Sequence, residues 1–261
     1  MAVFDLPVRE ALRTIGDATV VWTGFDADWY RAAHAADLTD PESMLESELF
    51  RFYLDRGQRL GHSPNRLFDE AWHLRTYPGI AELVRAGEYA SAFDAYCRGG
   101  NRDRSPHWLF DEAEYRRLNP DIADSVLDSA QLANGYDHFL RAGDKEGRRG
   151  HPLFDHAYYL ARLPEDKRTL AREIGPFAQF LRQPSDKVPT SPLFDPIWYL
   201  GRYPAVAQSI ADGVWRSALE HYCCNETPTE FDPLPDFSED WYLARNPALR
   251  SEEHTSELQS H

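Results

Sequence analysis

The sequence predicts an all-α protein, with tandem helical repeats of about 40–44 residues stacked as a short solenoid-like array. Three observations predict it. A phenylalanine recurs at Phe25, Phe68, Phe110, Phe154, Phe194 and Phe237, at spacings of 43, 42, 44, 40 and 43 residues. Each is followed by a residue suited to a helix N-cap (Asp26, Asp69, Asp111, Asp155, Asp195, Ser238) and, five positions after the Phe, by a ring (Tyr30, His73, Tyr115, Tyr159, Tyr199, Tyr242). No sustained two-residue alternation demands a sheet.

In chain order, residues 1–24 form a lead-in or cap, where "ATVVW" (18–22) permits a short strand. Repeats follow at 25–67, 68–109, 110–153, 154–193 and 194–236, then a truncated sixth at 237–249. Each repeat opens on a helix start. With Asp195 as N-cap, Phe194 precedes the cap and Tyr199 is the fourth helical residue, the two positions of a hydrophobic staple. Pro196 stands first in the helix, where its missing N–H costs nothing. Glu114 is placed to complete an acidic capping box. A second helix is expected at "YPGIAELV" (77–84), "NPDIADSV" (119–126) and "YPAVAQSI" (203–210), each entered through Pro. A third is expected at "SAFDAYCRGG" (91–100), "NGYDHFLRAG" (134–143) and "SALEHYCC" (217–224), the first two closed by Gly suited to a left-handed C-cap. Polar links such as "GDKEGRRG" (143–150) lead back to the next Phe-Asp. The ending 250–261 resembles a translated sequencing adapter, so it is set aside from fold reasoning and the gene is expected to continue past Leu249.

Composition narrows the function. The 261-residue chain carries a formal charge of −15, which disfavours phosphate backbones and anionic lipid, so neither nucleic acid nor membrane is an expected partner. The N-terminus lacks a basic segment followed by an apolar run, so a cytoplasmic protein is expected, with a surface or secreted protein lacking an N-terminal signal as the alternative. Cys97, Cys223 and Cys224 make no disulfide framework and no zinc spacing.

Repeat three, with "LFDEAEYRRLNPDIADSV" (109–126) and "NGYDHFLRAGDKEGR" (134–148), and repeat five, "LFDPIWYLGRYPAVAQSIADGVWRSALEHY" (193–222), carry a common pattern. It resembles a bacterial helical repeat (Phe-Asp-x-x-Tyr-Tyr-Leu, Asn-Pro-Asp-Val-Ala, Glu-His-Tyr, Glu-Gly-Arg) found beside glycosyltransferases and polysaccharide-synthesis proteins. A close variant accompanies large secreted calcium-binding repeat proteins. Repeat four lacks the Asn-Pro-Asp and Glu-His-Tyr elements, and repeat one keeps only "FDADWY" clearly. The resemblance implies a non-catalytic scaffold or tether region of a truncated bacterial glycosyltransferase or cell-surface polysaccharide-synthesis protein. Its partner would be a missing C-terminal domain or another protein. The alternative is a glycan- or protein-binding repeat module of a secreted or surface protein.

No catalytic, cofactor-binding or metal residue is expected. The recurrent Asp residues stand one per repeat, which suits caps better than convergent carboxylate chemistry. The neighbours Asp137-His138 and Glu220-His221 point apart on a helix. His151 and His156 lack zinc spacing, and Cys223-Cys224 beside His221 reads as small buried residues. The one binding set is aromatic: Trp29, Trp72, Trp198 and Trp241 recur at one repeat position, where exposed rings would stack on sugar.

Overall fold

The computed structural model describes residues 13–14, 21–99, 101–225, 227 and 230–238. Those residues are mainly helical, as an all-α fold requires. The chain divides into two compact units, Met1–Gln183 and Pro184–His261.

The first unit opens on two short parallel strands, β1 (Arg13–Thr14) and β2 (Gly24–Phe25). The strand expected at 18–22 is not seen at Val21 and Trp22, which lead into a turn, while 18–20 lie outside the described residues. Helices follow as α1 (Ala27–Ala33), α2 (Glu46–Asp55), α3 (Glu70–Thr76), α4 (Pro78–Arg85), α5 (Ala92–Cys97), α6 (Glu112–Leu118), α7 (Asp124–Ser129) and α8 (Gly135–His138). A π turn at Phe139–Gly143 continues α8 before α9 (His156–Arg162), α10 (Glu165–Ile174) and α11 (Pro176–Arg182). The second unit holds α12 (Pro196–Arg202), α13 (Pro204–Ala211) and α14 (Ala218–Cys224).

The Phe-Asp motif builds the same start five times. The Asp26, Asp69, Asp111, Asp155 and Asp195 carboxylates accept the backbone N–H three residues on, at 3.0, 2.9, 2.8, 2.8 and 3.0 Å. Each satisfies a first-turn donor that has no partner inside its helix. Each Phe packs on the ring five residues later, with centroids 5.1 Å apart for Phe25–Tyr30, Phe68–His73 and Phe194–Tyr199 and 5.3 Å for Phe110–Tyr115 and Phe154–Tyr159. All ten rings are at most 1% exposed, so the staple is also the core.

A backbone bond closes these turns over long loops. The N–H groups of Asp26, Asp69, Asp111 and Asp195 donate to the carbonyls of Pro64, Pro106, Gly150 and Pro233, each four residues before the next recurrent Phe. Tyr136 also donates its hydroxyl to the Leu67 carbonyl at 2.8 Å, well outside its own stretch of chain.

Three local expectations are corrected. Glu114 makes no reciprocal bond to its cap: the Asp111 N–H is taken by Gly150, and Glu114 instead binds Arg117 through two 2.7 Å contacts. Pro120 does not open a helix. Arg148 holds both Asn119 and Asp121 at 3.0 Å, the stretch stays a turn, and α7 starts at Asp124. Gly143 is not a left-handed cap, although Gly99 (φ 115°) is left-handed. Gly143 is needed because a Cβ there would collide with the Tyr115 hydroxyl.

Candidate functional site

The recurrent tryptophans stand where their helix starts place them. Trp29, Trp72 and Trp198 are half-buried, each with an edge-on contact to the residue five further on: His34 at 5.6 Å, Tyr77 at 6.2 Å and Tyr203 at 6.3 Å. In these three repeats one tryptophan ring therefore stands partly at the surface. Trp241 lies outside the described residues. The corresponding positions in repeats three and four hold Glu114 and Tyr158, so the aromatic row is interrupted.

The polar groups of the interior form a second recurrent set. The Tyr30, Tyr115 and Tyr199 hydroxyls each bond a histidine Nδ1 at 2.8 Å, in His62, His138 and His221. In repeat four, Tyr159 donates to Gln179 Oε1 at 2.8 Å. Burial lowers the pKa of all three histidines. Repeat two replaces the pair with His73 and Ala95; both His73 ring nitrogens are buried without a hydrogen-bond partner, and burial drives that imidazole down to about 3. His138 and His221 thus serve the core, and Asp137 and Glu220 turn away from them to meet Arg141 and Arg216. His156 Nε2 meets Asp144 at 2.9 Å, while His151 Nδ1 accepts from the Leu153 N–H. Cys97 is buried; Cys223 and Cys224 are half-buried as residues, with the Cys223 sulfur itself buried. Burial of its sulfur pushes the Cys223 thiol up, away from thiolate chemistry.

Sequence reasoning missed a carboxylate at the start of each later third helix. The Glu70 oxygens accept from the Ala92 and Phe93 N–H groups of α5, at 2.6 and 3.0 Å. Glu112 does the same for Gly135 and Tyr136 of α8, at 2.7 and 2.9 Å. For α11 the acceptor is Asp144, bonded to Phe177 at 2.9 Å and Ala178 at 3.1 Å. For α14 it is Asp186, bonded to Ala218 at 2.8 Å. Negative charge is favourable at these N-termini because the unpaired N–H groups carry positive partial charge. Burial nevertheless raises Glu70 and Glu112 to about 7, against the pull of those N–H groups, and raises Asp186. The available signal was Glu directly after the cap Asp, with Ser or Asn opening the third helix some 22 residues on.

Each buried Glu also lies on the wall of a cleft. One, of about 710 Å³, is lined by Gln58, Arg59, Glu70, Arg85, Tyr89 and Arg98 among others. The other, of about 440 Å³, is lined by Arg102, Asp103, Glu112, Arg116 and the start of the second helical segment. Among the described residues no group of His, Cys, Asp and Glu has the arrangement to hold a metal ion. Among them, too, no helix is long and apolar enough to cross a membrane.

Comparison with protein-family models, with curated proteins and with solved structures finds no match for this chain.

Proposed function

We propose that this chain is a non-catalytic helical repeat region, a scaffold or tether within a bacterial glycosyltransferase or cell-surface polysaccharide-synthesis protein, with its repeats stacked as a short solenoid. One observation carries the non-catalytic part. The side chains that recur every 40–44 residues are engaged in holding helices together: five Asp caps and five buried ring pairs. A carboxylate that caps a helix and a hydroxyl bonded in the core are not free to meet a substrate. Stacking is supported within Met1–Gln183 by the backbone bonds from Asp26, Asp69 and Asp111 to the residue four before the next Phe. The link to glycan synthesis rests on the resemblance of repeats three and five to the bacterial repeat, and the partner would be a catalytic domain or protein.

The half-exposed tryptophans favour a second reading, a glycan-binding module, because Trp29, Trp72 and Trp198 remain partly accessible beside fully buried rings. Two measurements on the purified chain separate the readings. The scaffold expects no sugar transfer from nucleotide-sugar donors and no quenching of tryptophan fluorescence by bacterial polysaccharide. Saturable quenching favours the binding module, and turnover sinks both.

A further inference from the structure

The first three repeats are each covered at the same place by the repeat that follows. That place is formed by the third and the first residue before the recurrent Phe: Trp22 and Gly24, Asn65 and Leu67, His107 and Leu109. The third helix of the next repeat comes down on it. Phe93 of α5 meets Trp22 edge-on at 6.1 Å, Tyr136 of α8 donates its hydroxyl to the Leu67 carbonyl at 2.8 Å, and Phe177 of α11 meets His107 at 6.1 Å. All six residues of these seats are buried, and so are the three rings that fill them.

In repeat five the seat is open. Leu193 stands where Leu67 and Leu109 stand, yet it is 51% exposed. In repeat one the matching helix is open. Its third-helix counterpart is α2: Phe25 meets Phe50 and Tyr53 at 5.1 and 5.8 Å, as Phe68 meets Phe93 and Tyr96 at 4.9 and 5.4 Å, in both cases 25 and 28 residues further along the chain. Phe50 therefore corresponds to the buried Phe93, Tyr136 and Phe177, but it is only half-buried itself, and Leu45 ahead of the same helix is exposed. The chain thus carries an open seat and an open helix of the kind that fills such seats elsewhere in the molecule. Ile197 on α12 is more exposed than Leu193 but does not belong to the seat: Ala71 and Ala113 hold its position in repeats whose seats are filled, and both stay exposed.

We infer that the chain associates with a second copy of itself head to tail, α2 of one copy resting by Phe50 on Leu193 of the other. Removing both side chains from water supplies the driving force. The two surfaces differ, so the contact is heterologous, and each copy added presents the same open seat again. Growth is then open-ended rather than closed at a dimer. The inference rests on the stacked-repeat part of the scaffold reading and extends that stack from one chain to several.

The test is sedimentation velocity of the full chain from micromolar to submillimolar concentration. We expect an average mass that rises with concentration and does not level off at a dimer. Leu193→Lys should weaken association about tenfold or more, because the ammonium would have to be buried. Ile197→Lys should leave association unchanged, which separates the seat from general stickiness of exposed apolar residues. Phe50→Lys should also stop growth, and an equimolar mixture of Phe50→Lys with Leu193→Lys should give a dimer and nothing larger, since each variant keeps the surface the other has lost. Should Phe50→Lys fail to fold, excess Leu193→Lys added to the wild-type chain should shorten its assemblies, because that variant can join by α2 but offers no seat. A monomer at every concentration, a mass that levels off at a dimer, undiminished growth of Leu193→Lys, or a mixture with neither dimer nor shortening would overturn the inference. Stacking within one chain is read separately: Tyr136→Phe removes the bond to the Leu67 carbonyl and should lower the urea midpoint, and an unchanged midpoint would count against the stacking rather than the association.

Discussion

The second and third repeats differ from the fourth and fifth in where the third helix obtains its carboxylate. In the former it stands on the first helix, directly after the cap, as Glu70 or Glu112. In the latter it stands on the preceding link, as Asp144 or Asp186, and the position after the cap is His156 or Pro196. Where the glutamate is present, the link carries a neutral amide, Gln58 or Asn101. The requirement is therefore for one acid at the helix N-terminus, from either side. Two acids sharing one pair of N–H donors would repel, and none would leave buried donors unsatisfied.

The largest effect should come from breaking that rule. Glu70→His alone is expected to cost about 3 kcal/mol, because it removes the acceptor from two buried N–H groups of α5. Adding Gln58→Asp reproduces the Asp144–His156 arrangement, in which the imidazole bonds the acid at 2.9 Å, and should recover at least half of the loss. Urea denaturation of the two variants measures both. Additive losses in the double variant would show that the two solutions are not interchangeable.

Acidity sharpens the comparison further. Glu70 and Glu112 titrate near 7 in the fold against 4.5 for the free side chain. For a raised acid the folded state holds the proton longer, so its contribution is present below 4.5 and is lost as pH rises towards 7. His62, His138 and His221 act oppositely. Their folded values are lowered from 6.5, so their contribution is lost as pH falls below that value. The two sets offset each other between pH 5 and 7. In Glu70→Gln/Glu112→Gln these two acids no longer offset the histidines, and stability should fall more steeply towards acid, by at most about 1.4 kcal/mol per pH unit for each glutamate removed. Urea midpoints measured from pH 5 to 8 report this slope, and an unchanged slope would mean that neither glutamate binds a proton in that range.

What could be read from the sequence was local. Phe-Asp with a ring five residues on contains its own mechanism, since cap and staple act within a single helical turn, as the five Asp bonds and ring pairs attest. The carboxylate exchange could not be read so, because Glu112 and Gly135 belong to different helices and meet only after packing. The same holds for Tyr115 and His138, whose spacing of 23 residues matches no short-range pattern. Local expectations failed where a distant group intervened: Arg148 on the Asn119–Asp121 turn, Gly150 on the Asp111 N–H, and the Tyr115 hydroxyl against Gly143. The tryptophan row was visible, but that it would rest edge-on against His34, Tyr77 and Tyr203 was not.

The smallest expected effect concerns the one repeat, among those whose rings are described, in which the core ring lacks a polar partner. Repeats one, three and five bond a tyrosine to a histidine, and repeat four bonds a tyrosine to a glutamine. Repeat two changes both members, to His73 and Ala95, and neither ring nitrogen of His73 has a hydrogen-bond partner. Its surroundings are aromatic, with Tyr77, Phe68 and Tyr96 at 4.6, 5.1 and 5.8 Å between centroids. A neutral imidazole there loses its hydrogen bonds to water and gains none in return. His73→Phe keeps the ring contacts and removes both orphaned nitrogens, so it should raise stability by about 1 kcal/mol, read as a higher urea midpoint at unchanged slope. A comparable loss instead would mean that ordered water satisfies His73, and that the second repeat meets by hydration the need its neighbours meet with a side chain.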